Sequence, residues 1–384
     1  MLSNAKSVNF SARKEHRSGL PDIPLAGVTL GLLAFGVLMV YSASMYNGEV
    51  NYGDRYFFMY KQIFGVLAGI AAMVAMSVID YRRLMRARFV IVGVGIALLG
   101  IVLIPGVGVE NYGARRWIDL GFITLQASEV AKVGYVLFAA GDMAKNAKKM
   151  TTFVGLLPPL VVGAVICVLI MLEPNMSVTM CVVLTMLTLL VMGGMRPLHL
   201  MLLFLPMAAL VALLIFLEPY RLARLMAFVD PWASPLEEGY QLLQSFYGLG
   251  SGGLFGVGLF NSRQKYLFLP FAESDFIFSV IGEELGYIGC LLVIAAFCFM
   301  IYRLIRIAQN AADRFGCLIA GGMAALIGVQ VLINIAVVTG SIPPTGIPLP
   351  FVSAGSSSLI VFCGGIGVCQ SVAIRSHASV RALL

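Results

Sequence analysis

The stretch SDFIFSVIGEELGYIGCLLVIAAFCFMIYRLI, Ser274 to Ile305, is too long and too apolar for a helix packed in a water-soluble protein. About 20 apolar residues carry a helix across ~30 Å of hydrocarbon, and this run has them behind an acidic front end. Asp275 opens it, and Glu283 and Glu284 sit further in. At ~1.5 Å and ~100° per residue, the two glutamates lie about 12–13 Å deeper than Asp275, turned from it by about 80° and 180°. They cannot both share a cavity with Asp275. Carboxylates inside a membrane face the bundle interior and seek partners, so hydrogen bonds or ion pairs are expected, with Gly282 and Gly286 admitting a neighbouring helix. A part in handling substrate is the alternative.

The rest of the chain agrees with a membrane reading. It is 60% hydrophobic and 12% charged, with a mean hydropathy of +0.93, whereas soluble domains carry about a quarter charged residues. Further apolar runs fall at 25–45, 59–78, 89–104, 126–142, 153–172, 176–192, 198–217, 315–338 and 353–374. With the opening stretch these predict an all-α, polytopic bundle of about ten transmembrane helices. The seven cysteines all lie in apolar segments and read as small packing residues, and the three histidines lie near segment ends or tails, away from any metal-ligand pattern. Lysine and arginine favour one side, with Arg82, Arg83, Arg86, Arg88, Lys145, Lys148, Lys149, Arg303, Arg306, Arg314 and Arg375 as its loop charges. That side is expected to be cytoplasmic, with both termini. The net charge of +7 thus reflects topology and does not call for nucleic acid.

One membrane domain results: a tail at 1–24, helices at 25–217, a long extracytoplasmic connection at 218–274, helices at 275–374 and a tail at 375–384. Connections that long inside a compact protein are usually functional. Its first part, EPYRLARLMAFVDP, spaces arginines and leucines as an amphipathic helix in the headgroup region, ended by Pro231. The glycines from Gly248 to Gly258 then supply backbone freedom and close approach, for which a flexible lid is the ordinary structural reading.

GYQLLQS, GSGG, SRQKYLFLP, SDFIFSVIGEELG and TGIPLPFVSAGSSSL together resemble the SEDS family of membrane glycosyltransferases, which polymerise peptidoglycan from lipid II. RRWIDLG, LQASEVAK and YRLARLMAFVDP add to the likeness, which runs from the first helix to the last. The SRQKYLFLP wording is similar to the FtsW and SpoVE branches more than to RodA, which implies division or sporulation.

In that reaction a sugar hydroxyl attacks an anomeric carbon whose leaving group is a polyprenyl diphosphate. The hydroxyl needs one carboxylate base. The diphosphate leaves as a stable anion, so cations or a divalent metal must hold its charge, and no second acid is required. The resemblance places the catalytic aspartate on Asp275; a helix-capping acid is the competing reading. Arg116, Lys132, Arg221, Arg224 and Lys265 are candidate diphosphate contacts, although Glu129 and Lys132, spaced i, i+3, can instead pair with each other. Glu129, Ser353 and Ser356 complete the candidate substrate-binding set. The family allows a Mg or Mn ion and no organic cofactor. It implies lipid II, a class B penicillin-binding transpeptidase and divisome or sporulation proteins as partners in the bacterial cytoplasmic membrane, with the site on the outer face. The chain departs from the family pattern at Phe271, Ala127, Asn175, Met176 and Ala354. Glu273, two residues past Phe271, either does the displaced acid's job from a shifted site or that job is dispensable. A lipid II flippase and a non-catalytic scaffold that activates the transpeptidase are the readings from other classes.

Overall fold

The structure, a computed structural model, describes residues 19–111, 114–121, 123–203, 205 and 219–381. Helices α1 (Ile23–Tyr52), α2 (Phe57–Val78) and α3 (Tyr81–Val102) lead into strands β1 (Gly108–Asn111), β2 (Ala114–Asp119) and β3 (Thr124–Gln126). Then follow α4 (Ala127–Lys145), α5 (Phe153–Leu172) and α6 (Met176–Met192). The chain is helical again at 197–203; the rest of the run expected at 198–217 lies largely outside the described residues. Beyond it come α7 (Pro219–Val229), α8 (Tyr240–Gly252), α9 (Ile277–Gln309), α10 (Arg314–Val338) and α11 (Ser356–Arg381).

Among the described residues, α1, α2, α3, α5, α9, α10 and α11 are long and apolar enough to cross a membrane. Their large hydrophobic side chains are exposed outward, Leu67, Val90, Val154 and Leu292 among them, which suits lipid and not water. The apolar windows of α10 and α11 are 72% buried and that of α2 only 22%, so the first two form the centre and α2 lies at the edge. Buried α4, with its charged Glu129 and Lys132, joins α10 and α11 at the centre. Small residues set the spacing, as expected where lipid removes the hydrophobic drive between helices. A Cβ at Gly65 would stand 2.8 Å from Ser356 Cα, and one at Gly69 would meet Cys363 Sγ at 3.0 Å, so α2 lies directly on α11. Caps stop the helices where the sequence turns polar: Asp22 accepts the Leu25 N–H, Asp80 the Arg82 N–H and Asp313 the Gly316 N–H.

Two expectations change. The fold is not purely helical, because β1, β2 and β3 form an antiparallel sheet in that order, with Trp117 opposite both Val109 and Gln126. Its strands are too short and too polar to stand out beside the spans. Nor is the glycine run a flexible lid. Residues 240–252 are helical, and the backbone that follows fills a break in α9.

That break is at Gly286, whose φ of 68° and ψ of −167° belong to a region that essentially only glycine occupies. It cuts α9 into a short helix at 277–285 and a long one from 287. The break frees backbone groups that hydrocarbon cannot satisfy. The glycine loop does so instead: Val257 N–H donates to Glu283 O at 2.9 Å and Gly258 N–H to Glu284 O at 3.1 Å, while Tyr287 N–H reaches Gly253 O at 2.9 Å and Ile288 N–H reaches Leu254 O at 3.2 Å. The two glutamates anchor the same loop through their side chains. Glu283 accepts the Arg263 and Gln264 N–H groups at 3.0 and 3.3 Å and the Ser262 hydroxyl. Glu284 accepts the Ser42 hydroxyl at 2.6 Å and the Ser262 N–H at 3.2 Å, with Lys265 Nζ 3.8 Å away. Both are buried and hydrogen-bonded to protein partners, although Glu284 Oε2 has none among the described residues, in keeping with the expectation of an internal role.

Candidate active site

The short helix at 277–285 aims its N-terminal approach, residues 271–276, into a cavity of about 1000 Å3. The other walls are the start of α2, the β2 and β3 strands, the α5–α6 turn, α7, the proline-rich segment 342–348 and the start of α11.

Asp275 lines this cavity and does not cap α9. The capping position is Phe276, and no side chain caps the helix there. The Asp275 carboxylate instead accepts the Ser274 hydroxyl at 3.0 Å. Its backbone is pinned at three successive carbonyls. Ala354 N–H holds Glu273 O at 2.9 Å, the Ser353 hydroxyl holds Ser274 O at 2.6 Å, and the Asn334 amide holds Asp275 O at 2.8 Å. Asn334 also donates to Ile347 O at 2.7 Å, clamping the proline-rich segment to the aspartate. In that segment Gly346 has a φ of 71°, and a Cβ there would lie 3.1 Å from Asp275 Oδ2, so both conformation and space call for glycine. Burial raises the Asp275 pKa; the Ser274 hydroxyl and the charges of Arg116 and Arg224 act against it.

Arg116 sits on β2 and also lines the cavity. Its Nε donates to Glu173 O at 3.1 Å and its Nη2 to Pro174 O at 2.6 Å. These are carbonyls at the C-terminal end of α5, where the helix dipole favours a cation. The Glu173 side chain is buried with neither carboxylate oxygen partnered, and burial pushes its pKa up to about 8 against the pull of Arg116. Arg224 reaches the cavity from α7 and lies 3.7 Å from Glu238. Both of those side chains are nearly half exposed, so this pair is weak.

Ser356 lines the cavity at the start of α11 and donates to Lys61 O at 2.8 Å. The remaining predicted contacts lie elsewhere. Lys132 is buried behind the wall, 2.8 Å from Glu129 and 2.7 Å from the Gln330 carbonyl oxygen, so the pairing alternative describes it. Glu129 faces Lys132 and accepts the Ser358 hydroxyl at 3.3 Å. Lys265 is enclosed with Glu284 and donates to Phe260 O, beside the α9 break and away from the cavity. Ser353 is turned into backbone contacts, accepting Leu349 N–H as well as donating to Ser274 O. The side chain of Arg221 lies outside the described residues. For Lys132, Glu129, Lys265 and Ser353 burial is the common reason: each found protein partners before it could reach the cavity.

The cavity also gathers residues the sequence reading passed over. Lys61 and Gln62 line it from α2, and Gln62 accepts the Gly355 N–H at 3.4 Å while donating to Ser353 O at 3.2 Å. A polar pair opening an apolar helix was the available signal. Asn334 and Gln330 are spaced i, i+4 inside α10, and polar groups at that depth mark a constrained site. At the pattern departure Phe271, φ is 56°, an unusual conformation for a bulky residue, and its ring is on the cavity wall. Glu273 also lines the cavity, and Asn47 donates to it at 3.1 Å; burial, with the neighbouring Asp275 charge, raises its pKa against the lowering effect of its hydrogen bonds.

Among the described residues no three acidic, histidine or cysteine side chains converge as an all-protein metal cage. A Mg2+ ion needs no such cage, since it is often held by one or two carboxylates and substrate phosphates. The cavity carboxylates Asp275 and Glu273 are donors of that kind.

The chain resembles known proteins over nearly its whole length. It is 38% identical over 358 residues to Stage V sporulation protein E of Bacillus subtilis (strain 168), spanning 93% of this chain and 98% of that one. It is also 38% identical over 360 residues to the probable peptidoglycan glycosyltransferase FtsW of Nitrosococcus halophilus, spanning 93% of each. A solved structure described as "Structural coordination of polymerization and crosslinking by a peptidoglycan synthase complex" superposes with a TM-score of 0.77 at 26% identity, covering 92% of this chain and 97% of that chain. The Thermus thermophilus rod shape determining protein RodA shares the fold, with a TM-score of 0.68 at 24% identity over 92% of this chain and 97% of that one. The family model for FtsW, RodA and SpoVE, described as "Cell cycle protein", matches residues 24–378. With the matched region running from the first turn of α1 almost to the end of α11, this chain belongs to the FtsW/RodA/SpoVE family.

Proposed function

We propose that the chain is a peptidoglycan glycosyltransferase that joins lipid-II-derived glycan to a second lipid-linked glycan by a single inverting displacement. One observation carries the assignment of the base: the Asp275 carboxylate, released from capping and fixed through its backbone, opens on a cavity shared with Arg116, Arg224 and Lys61. Asp275 takes the proton of the acceptor sugar hydroxyl as its oxygen bonds to the anomeric carbon. The bond from that carbon to the diphosphate breaks on the opposite face, and the electron pair leaves with the diphosphate. Arg116, already oriented by two carbonyls, and Arg224 hold the developing charge, with Lys61 as a third cation. A bound Mg2+ or Mn2+ would add charge neutralisation to the same leaving group. Ser356 and Gln62 border the space in which the sugars sit.

The relatives named as FtsW and SpoVE support division or sporulation as the setting, and the likeness to a peptidoglycan synthase complex supports a class B penicillin-binding transpeptidase as partner. The lysine and arginine bias puts both termini in the cytoplasm and the cavity on the outer face. On this reading α4 and α6 also cross, and the expectation of about ten spans counts the apolar run at 198–217, largely outside the described residues, with them. The intramembrane charges on which a flippase reading rested are paired inside the protein and do not border the cavity.

Asp275→Asn tests the proposal. Purified protein carrying it should fold, melt and bind its partner as wild type does and yet make no polymer from lipid II. Normal polymerisation by that variant would remove Asp275 as the base.

A further inference from the structure

A second cavity, of about 150 Å3, lies at the far end of α9 from Asp275. Arg303 and Arg306 line it from α9, Asn310 from the C-cap of that helix, Ser376 from α11 and Asp22 from the cap of α1. The spacing 303, 306, 310 puts three side chains on one helix face. Asp22 is buried and committed: its carboxylate accepts the Leu25 N–H at 2.9 Å and Arg303 Nε and Nη2 at 3.1 and 2.5 Å, and its backbone exchanges hydrogen bonds with Gln370. Arg303 is therefore held in place with the Nη1 side of its fork left over. Arg306, one turn further, is exposed and has no side-chain partner among the described residues.

Two guanidinium groups and one carboxylate leave a single positive charge. That complements one phosphodiester, whereas a phosphomonoester with nearly two negative charges would be half neutralised. The depth fits a lipid. From the break at Gly286 the helix runs to Gln309, ~34 Å at ~1.5 Å per residue, so the cavity lies at headgroup level in the opposite leaflet. Exposed Tyr302 stands beside it, as aromatic residues do at that boundary. About five water volumes of ~30 Å3 accommodate a phosphodiester with its flanking carbons.

We propose that this cavity binds the headgroup phosphodiester of a monoanionic phospholipid, gripped by Arg306, the Nη1 side of Arg303 and the Asn310 amide. The lipid ties together the ends of α1, α9 and α11. Basic pockets between transmembrane helices recognise anionic headgroups in this way. Assignment to the cytoplasmic leaflet rests on the orientation proposed above; binding does not.

The test is thermal denaturation of the purified full-length protein in uncharged detergent, titrated separately with phosphatidylglycerol, phosphatidylcholine of the same acyl chains, and inorganic phosphate. Only phosphatidylglycerol should raise Tm, and saturably. Arg306→Gln should weaken half-saturation about tenfold or more. Arg83→Gln, which removes an exposed arginine of α3 outside the cavity, should leave it unchanged. Equal weakening by both variants would make the effect one of general surface charge and overturn the site. An equal response to phosphatidylcholine, or a response to inorganic phosphate alone, would overturn the lipid assignment. Should Arg306→Gln fold poorly, Asn310→Ala makes the same comparison, and an undiminished lipid response there also overturns the site.

Discussion

Replacing Gly286 by alanine should destabilise the protein and cost it activity, although the change adds one methyl group. The native φ of 68° with ψ of −167° costs a non-glycine residue about 1–3 kcal/mol. The new Cβ would also fall 2.3 Å from Gly256 N and 2.6 Å from Leu254 O, backbone atoms that no rotamer change can move aside. Overpacking of that kind adds about 1–3 kcal/mol, for a total of roughly 2–6 kcal/mol. Gly93→Ala in α3 is the control: nothing lies within 4 Å of its Cβ position, and helix propensity should make it neutral or stabilising by up to ~1 kcal/mol. Thermal denaturation in detergent ranks the variants, and polymer formation from lipid II reads the effect on the site. The loop bonded to the α9 break leads directly to Asp275, so activity should fall with stability. If Gly286→Ala melts and polymerises like Gly93→Ala, the break does not hold the loop.

Because burial raises the Asp275 pKa and the base acts ionised, polymerisation should decline with falling pH at a midpoint above the ordinary aspartate value of ~3.9. Arg116→Gln removes a charge that opposes the shift and should move that midpoint upward; an unmoved pH profile would refute the coupling. Lys265→Met alone strands the buried Glu284 and should cost about 3–5 kcal/mol, while Lys265→Met with Glu284→Gln should recover part of the loss in the same melting assay. Glu173 holds its proton in the folded state up to about pH 8, against an ordinary glutamate value near 4.5. Between these values the folded state binds more protons than the unfolded one, so this group's contribution falls as pH rises, by at most about 5 kcal/mol. Glu173→Gln should flatten the fall in Tm between pH 5 and pH 9, and an equally steep fall in the variant would refute the assignment.

Much of the bundle was readable because hydrocarbon imposes a strict rule on sequence. The runs at 153–172 and 176–192 reappear as α5 and α6 with the same ends, and α10 begins one residue before its expected start. α8 escaped notice because its glycine-rich second half, Gly248 to Gly252, opposes helix formation, and only packing on the short half of α9 makes it one. There a Cβ at Gly252 would collide with Gly282 O at 1.9 Å. The sheet at 108–126 escaped for a related reason, since three short strands carry little periodicity among long apolar helices.

For the site, residue type alone identified a carboxylate and a set of cations but could not tell which cations face the same space. Arg116 and Lys132 looked alike in sequence; one is held at the end of α5 beside the cavity, the other is enclosed by Glu129 and Gln330. The sequence by itself determined that the chain crosses a membrane many times and that its buried carboxylates need partners, because both follow from the free energy of moving groups out of water. Only the tertiary structure decided which partners they take, since neighbours in the cavity come from segments as distant as 61, 116, 275 and 346. It also decided that Asp275 is turned away from capping its own helix, because that depends on three carbonyls being held by Ala354, Ser353 and Asn334.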